Sequence, residues 1–352
     1  MRKVIAVLGC DYHLDQTNIQ LVWNVWQQHC DLCEKYSARM LLGGDIFTSR
    51  SGQPLSVLTA FKNMVWNLEE RCILAQVIPG NHDKTDANSQ QSYLDVYNSL
   101  NIKLHSNSGV WMQGEVLFGF IPYFGNDEWI EQYECLEVNV NELLLNGEID
   151  KDMPRILITH MGVEGVRNND GTTVSSPIKP SMFKNWDKVL VGHYHDASQI
   201  GDNIFYTGSV YQNNYGENIT DKGFTLIYND GSIEFVPSEF PRYIKERVDV
   251  DDPQTLRNII DKYDEVDGDH VRIVLRGKKT DLEKVNKIEL AQRGFDVKFE
   301  TVETTAAVET AEAEDVLEYD KSSLMKDFMM YCKDNNIRGG EFKFGVSLIK
   351  NI

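Results

Sequence analysis

Short apolar runs rich in Val, Ile and Leu recur at residues 3–9, 38–43, 73–79, 155–160 and 187–192. Runs of this length predict strands buried on both faces. Helical periodicity separates the early ones, over 18–37, 54–71 and 89–100, the second opened by Ser51 and Pro54. Residues 110–121 predict a hairpin turning at Gln113-Gly114, and 126–146 a helix. Antiparallel strands are expected over 197–236, with turns at Gly201-Asp202-Asn203 and Asn229-Asp230-Gly231. Alternating helices and strands with these hairpins give an α/β reading: two packed sheets flanked by helices, over residues 1–240.

From Pro241 the texture changes. A strand (242–249), a helix (253–263), a strand (270–276), a helix (280–293) and a strand (295–302) predict a small α+β module, 241–302. Residues 301–320 carry seven acidic and no basic side chains, so 303–320 reads as a solvated linker. In the final segment, 321–352, Ser322 or Ser323 can cap a helix whose Leu324, Phe328, Tyr331 and Cys332 share one face. Such a helix has no core of its own to bury, so it would dock on a partner or fold back on the 241–302 module.

Five segments that follow predicted strands carry potential metal ligands: Asp11-Tyr12-His13, Gly44-Asp45, Gly80-Asn81-His82-Asp83, Thr159-His160 and Gly192-His193-Tyr194-His195. They hold five of the chain's eight histidines, so scatter is a poor explanation. His193-x-His195 alone would be weak evidence, since alternate strand residues often share a face. Oxygen and nitrogen donors with one shared carboxylate suit a pair of divalent cations about 3.5–4 Å apart, which together hold a hydroxide and polarise a phosphoryl group. Imidazole and the Asn amide bind metal without adding negative charge near a phosphate.

This motif series resembles the calcineurin-like metallophosphoesterases. Within them it is most similar to the SbcD-type DNA repair nucleases, relatives of the meiotic-recombination-eleven nuclease, of which tailed phages carry a recombination endonuclease version. Gly44-Asp45-Ile46-Phe47, Ile121-Pro122-Tyr123 and Tyr206-Thr207-Gly208-Ser209 match that branch, and the likeness is specific over about residues 1–240. It implies a four-layer αββα sandwich with a small capping domain, and two ions, Mn²⁺ foremost. One metal would take Asp11, His13, Asp45 and His195, the other Asp45, Asn81, His160 and His193, with Asp45 bridging. It also implies a DNA exonuclease and endonuclease in which a metal-bridging hydroxide attacks phosphorus. His82 would assist at the scissile phosphate, with Asp83 orienting it. The implied partners are DNA, an SbcC-type ATPase on the terminal helix, and a second copy of the chain within a heterotetramer. Thr48 stands where relatives often have Asp or His, and Asp15 where Gly often follows, which touches cleavage preference rather than the metals.

Other readings compete. Arg50 and Lys84 flank motifs, and Arg167 and Lys179 lie in the 161–180 loop after His160, so each is a candidate for substrate phosphates or a plain surface residue. The same centre could serve a small-molecule or nucleotide phosphodiesterase. Serine/threonine phosphatases of the superfamily carry Gly-Asp-x-x-Asp-Arg-Gly and Gly-Asn-His-Glu, whereas this chain has Gly-Asp-Ile-Phe-Thr-Ser-Arg and Asp83. A non-catalytic adaptor would not need the complete ligand set. No P-loop occurs, so ATP dependence would come from a partner.

Composition changes the picture mainly through charge. The 352 residues carry a formal net charge of -19, the wrong sign for gripping DNA by bulk electrostatics. Residues 241–352 hold 19 basic and 24 acidic residues, so the acidity is not only in the tail. The charge therefore implies weak autonomous DNA binding, or a partner that supplies the basic surface. The six cysteines show no disulfide spacing, which suits a reducing cytoplasm, bacterial or that of a phage-infected host. His29 with Cys30-x-x-Cys33 lacks the second pair a structural zinc needs. The run ending at Cys10 is too short for a signal segment and reads as the first strand. No apolar run reaches the roughly 18–20 residues of a membrane span.

Overall fold

The computed structural model describes residues 2–99, 101–168, 172–263 and 268–302. The expected linker (303–320) and terminal helix (321–352) lie outside the described residues. In chain order the first half comprises β1 (Val4–Gly9), α1 (Ile19–Tyr36), β2 (Arg39–Leu42), α2 (Leu55–Glu70), β3 (Ala75–Val77) and β4 (Ile102–Leu104). Then come β5 (Gly109–Gln113), β6 (Val116–Ile121), α3 (Asn126–Leu145), β7 (Arg155–His160), β8 (Lys188–Gly192), β9 (Ser198–Ile200), β10 (Ile204–Tyr206), β11 (Gly223–Tyr228) and β12 (Ile233–Pro237).

These strands build two six-stranded sheets, ordered β12-β11-β1-β2-β3-β4 and β5-β6-β7-β8-β10-β9. Both are mixed. Strands β1 to β4 run parallel to one another, as do β6, β7, β8 and β10, while β11 and β12 extend the first sheet, and β5 and β9 edge the second, antiparallel. The inner strands read as continuous apolar runs because both faces are covered. Ile5, Leu8 and Leu41 from one sheet share a dry cluster with Phe118, Phe120, Ile158 and Leu190 from the other. On the outer faces, Trp26 of α1 and Phe61 and Leu68 of α2 pack on the first sheet. Trp129, Tyr133 and Leu136 of α3 pack on the second. Helix, sheet, sheet and helix therefore stack as four layers, each buried aliphatic side chain contributing about 1.5–3 kcal/mol.

Residues beyond 241 form β13 (Tyr243–Asp249), α4 (Pro253–Tyr263), β14 (His270–Gly277), α5 (Lys279–Leu282), α6 (Lys287–Gln292) and β15 (Asp296–Thr301). Their three strands make a separate parallel sheet over an apolar cluster that includes Val248, Ile260, Ile273, Leu275 and Val297.

Two expected helices differ. Over 89–100 only one 3₁₀ turn forms, at Asp95–Tyr97. Side chains there capture the backbone first: Asn88 N–H donates to Asp86 (3.0 Å), Gln91 N–H to Ser89 (3.0 Å) and Ser92 N–H to Asp95 (2.7 Å). The 280–293 helix is broken into α5 and α6, and Asn286 caps the second piece by accepting from Glu289 N–H at 3.2 Å. At α2, Pro54 occupies the cap position and Ser51 does not cap.

Candidate metal centre

The five motifs meet because β1, β2, β3, β7 and β8 end on one side of the sandwich, where loops after parallel strands gather ligands. Backbone bonds lock the first loops together. Asp11 N–H donates to the Gly44 carbonyl and His13 N–H to the Asp45 carbonyl, both at 3.0 Å. Making these turns while facing inward takes unusual backbone geometry. Asp11 (φ 58°), His13 (φ 43°), Asp45 (φ 52°) and His193 (φ 97°) all lie in the left-handed region. Each costs about 1–3 kcal/mol and persists only where its surroundings over-determine it, which is characteristic of ligand clamps. The flanking glycines make room: a Cβ on Gly80 would meet the Asp45 carboxylate and amide, and one on Gly44 (φ 99°) would lie 2.5 Å from His160 Nδ1.

Among the described residues three groups of potential ligand atoms converge, of which His13, Asp45 and His82 link the other two: a first, Asp11, His13 and His195, and a second, Asp45, His160 and His193. Asp45 stands between them, its Oδ2 3.3 Å from His160 Nε2 and 3.7 Å from His13 Nε2. Asn81 completes the second group, with its Oδ1 3.0 Å from His160 Nε2 and 2.8 Å from His193 Nδ1. All seven residues expected as ligands thus line one cradle. Acceptors packed at these distances repel one another unless a cation or proton lies among them. An inverted Asn81 amide would donate to Asp45 Oδ2 as well as to the His160 and His193 ring nitrogens. The oxygen-inward orientation instead suits a cation, and inversion leaves the His13 and His195 Nε2 atoms facing each other at 2.9 Å. The donor set fits a pair of divalent ions.

Electrostatics agree. Burial pushes the Asp11 carboxyl up to about 6, against the pull of His160 and His195. Burial acts the same way on Asp45, but the surrounding imidazoles, His160 first, outweigh it and hold that carboxyl far below the usual range. Burial lowers His13 to about 4 and His193 to about 3, leaving neutral rings with lone pairs for metal. His160 goes up to about 9, because the Asp45 charge overcomes burial. A cation held in the cradle would take the place of the His160 proton beside Asp45.

His82 is half-buried and lines the open cleft above the donors, a space of about 580 Å³. Its orientation corrects one expectation. Asp83 does not hold the ring; its buried carboxylate accepts from the Phe47 and Gly80 amides, at 3.0 and 2.8 Å, and ties two motif loops together. Burial, with Asp45 nearby, pushes Asp83 up to about 7. The ring of His82 instead donates to the Thr48 carbonyl, at 2.5 Å.

The basic candidates separate. Arg50 lines the cleft. Lys84 does not: it is buried, donates to the Tyr123 carbonyl at 2.6 Å and lies over the Phe124 ring, so it faces the interior. Arg167 is exposed in a bridge with Thr173, outside the cleft lining, although its neighbour Asn168 is part of it. Lys179 pairs with Glu164 at 3.4 Å. His29, considered with the cysteine pair, is spent on Tyr12 Oη (2.7 Å) and the Val7 carbonyl (2.9 Å). Sequence reasoning missed Glu217 and Lys222, which lie behind His195 in the loop after β10. That loop has no periodicity, and its spacing signals nothing.

No protein-family profile matches the chain. The putative phosphoesterase 244L of Invertebrate iridescent virus 6 is 22% identical over 283 residues, covering 76% of this chain and 92% of that protein. The calcineurin-like phosphoesterase YfkN from Bacillus subtilis aligns with 67% of this chain and 89% of its own at 12% identity and a TM-score of 0.36, a likeness too loose to argue from. Five ordered motifs thus close into one cradle of potential metal ligands, in a chain that is similar over three quarters of its length to a putative phosphoesterase.

Proposed function

We propose that the protein is a two-metal phosphodiesterase acting on DNA, the nuclease subunit of an SbcCD-like end-processing and recombination complex, with Mn²⁺ as the favoured ion. The observation that carries the phosphodiester chemistry is the placement of Asp45 between the two donor groups, with His82 beside them in an open cleft. Divalent ions held there supply Lewis acidity toward a phosphoryl oxygen and a nucleophile at neutral pH. Asp11, His13 and His195 would hold one, Asn81, His160 and His193 the other, and Asp45 both. His82, with Nδ1 committed to Thr48, offers its second ring nitrogen to the phosphate or to the leaving 3′ oxygen. Arg50 can neutralise a non-bridging oxygen.

The nuclease reading rests on the motif resemblance together with the openness of the cleft. The partner reading rests on charge: Arg50 is the one Lys or Arg among the described residues lining the cleft, in a chain of net charge -19. Tight binding of polyanionic duplex then needs a basic surface from elsewhere, and an SbcC-type ATPase docked on 321–352 would provide it. The same shortage of basic groups favours a second reading, a small-molecule or nucleotide phosphodiesterase.

Cleavage of linear duplex DNA with Mn²⁺, beside bis-p-nitrophenyl phosphate, separates the two. DNA cleavage that disappears in His82→Ala supports the nuclease. Hydrolysis of the small diester with DNA left intact, even when a co-purified ATPase is present, supports the alternative.

A further inference from the structure

Glu217 and Lys222 are fully buried charged residues directly behind the cradle. We propose that they are a positioning pair for the metal held by Asp11, His13, Asp45 and His195, making it the tighter of the two positions. This rests on reading those residues as a cation site.

Glu217 Oε1 lies 2.8 Å from His195 Nδ1, and its side chain is 1% exposed. A carboxylate in that place accepts a hydrogen bond from Nδ1–H and leaves Nε2 as the lone-pair nitrogen. Nε2 is the atom that faces the donor group, 2.9 Å from His13 Nε2. The bond therefore fixes ring, tautomer and basicity together.

Glu217 is itself held. Asn213 N–H donates to Oε2 and Asn214 Nδ2 to Oε1, both at 2.9 Å. Lys222 Nζ lies 3.5 Å from Oε2 and 2.9 Å from Asp196 Oδ1, and donates to the His195 carbonyl. One ammonium thus grips both the backbone of His195 and the carboxylate that orients its ring. A buried carboxylate without such a partner is strongly unfavourable.

The second position is built differently. His160 directs Nδ1 to a backbone carbonyl, that of Gly43, at 2.9 Å. Among the described residues, no carboxylate hydrogen-bonds the His193 ring, whose Nδ1 meets Asn81. Glu217 sets a carboxylate against the imidazole of the first position, which raises the basicity of that ligand toward a cation.

The test is Mn²⁺ binding by calorimetry to chelator-stripped protein, with thermal unfolding of the metal-free forms alongside. Wild type should show two steps. Glu217→Gln, nearly isosteric, should weaken only the tighter step, by about 10–100-fold. In a His195→Ala background the same change should have no further effect. Unchanged affinities in Glu217→Gln overturn the inference and leave the two-metal reading standing, as does a variant that loses only metal-free stability. A wild type that binds no Mn²⁺ removes both.

Discussion

The Nδ1 atom of His82 lies 2.5 Å from the backbone carbonyl oxygen of Thr48. A carbonyl only accepts, so this nitrogen carries the proton and the other becomes the working atom of a ring in the cleft wall. His82→Ala should therefore lower diester turnover by about 100- to 10,000-fold, the range of a lost general acid or base, without changing metal content. Turnover of bis-p-nitrophenyl phosphate and elemental analysis of the same sample check it; a variant within a few-fold of wild type removes His82 from the chemistry.

Gly80 is a matter of space. Its missing Cβ would meet the carboxylate and amide of Asp45. Gly80→Ala should cost about 1–3 kcal/mol, as overpacking does, and should weaken both metals because the shared ligand moves. Chemical denaturation and metal titration read the two effects; a variant that binds both ions normally would show that the loop yields without disturbing Asp45.

Four left-handed ligand residues, Asp11, His13, Asp45 and His193, put strain in the metal-free cradle. Ions that bind only the folded form offset it. Mn²⁺ at about 100-fold its dissociation constant should add about 2.7 kcal/mol per site. The unfolding temperature should climb with Mn²⁺ and fall with chelator. An unfolding temperature indifferent to both contradicts this.

His29 governs part of the acid response. Burial lowers its imidazole from 6.5 to about 4, despite the Val7 carbonyl that favours the charged ring. The unfolded chain gains this proton near 6.5, the native one near 4. Between those values the unfolded state binds more protons, so stability falls as pH drops from 6.5 to 4, by about 3 kcal/mol from this residue. Denaturation of metal-stripped protein across that window should show a shallower decline in His29→Gln. Parallel curves would mean that other groups carry the response.

What was legible in the sequence divides by cause. The buried strands β1, β2, β3, β7 and β8 announce themselves as unbroken apolar runs because helices and the opposite sheet cover them, and ligands follow their ends, so the motif residues could be named in advance. The turn region 89–98 could not: its Ser, Asp and Asn side chains capture backbone amides that a helix would use, and Tyr93 N–H goes to the Asp83 carbonyl at 2.9 Å. Side-chain direction was equally hidden. Lys84 follows a motif as closely as Arg50 does, yet points into the interior, and Asp83 serves the loops rather than its neighbour His82. Glu217 and Lys222 act through contacts 22 and 27 residues from His195, along a loop with no repeating pattern to betray them.

The central claim is that one carboxylate, Asp45, serves two ions. Inductively coupled plasma analysis of protein stripped with chelator, reloaded with Mn²⁺ and desalted tests it most directly. Wild type should retain about two ions per chain, as a two-metal site requires, and Asp45→Ala essentially none. A wild type with one ion or fewer, or an Asp45→Ala protein that still holds two, would contradict it.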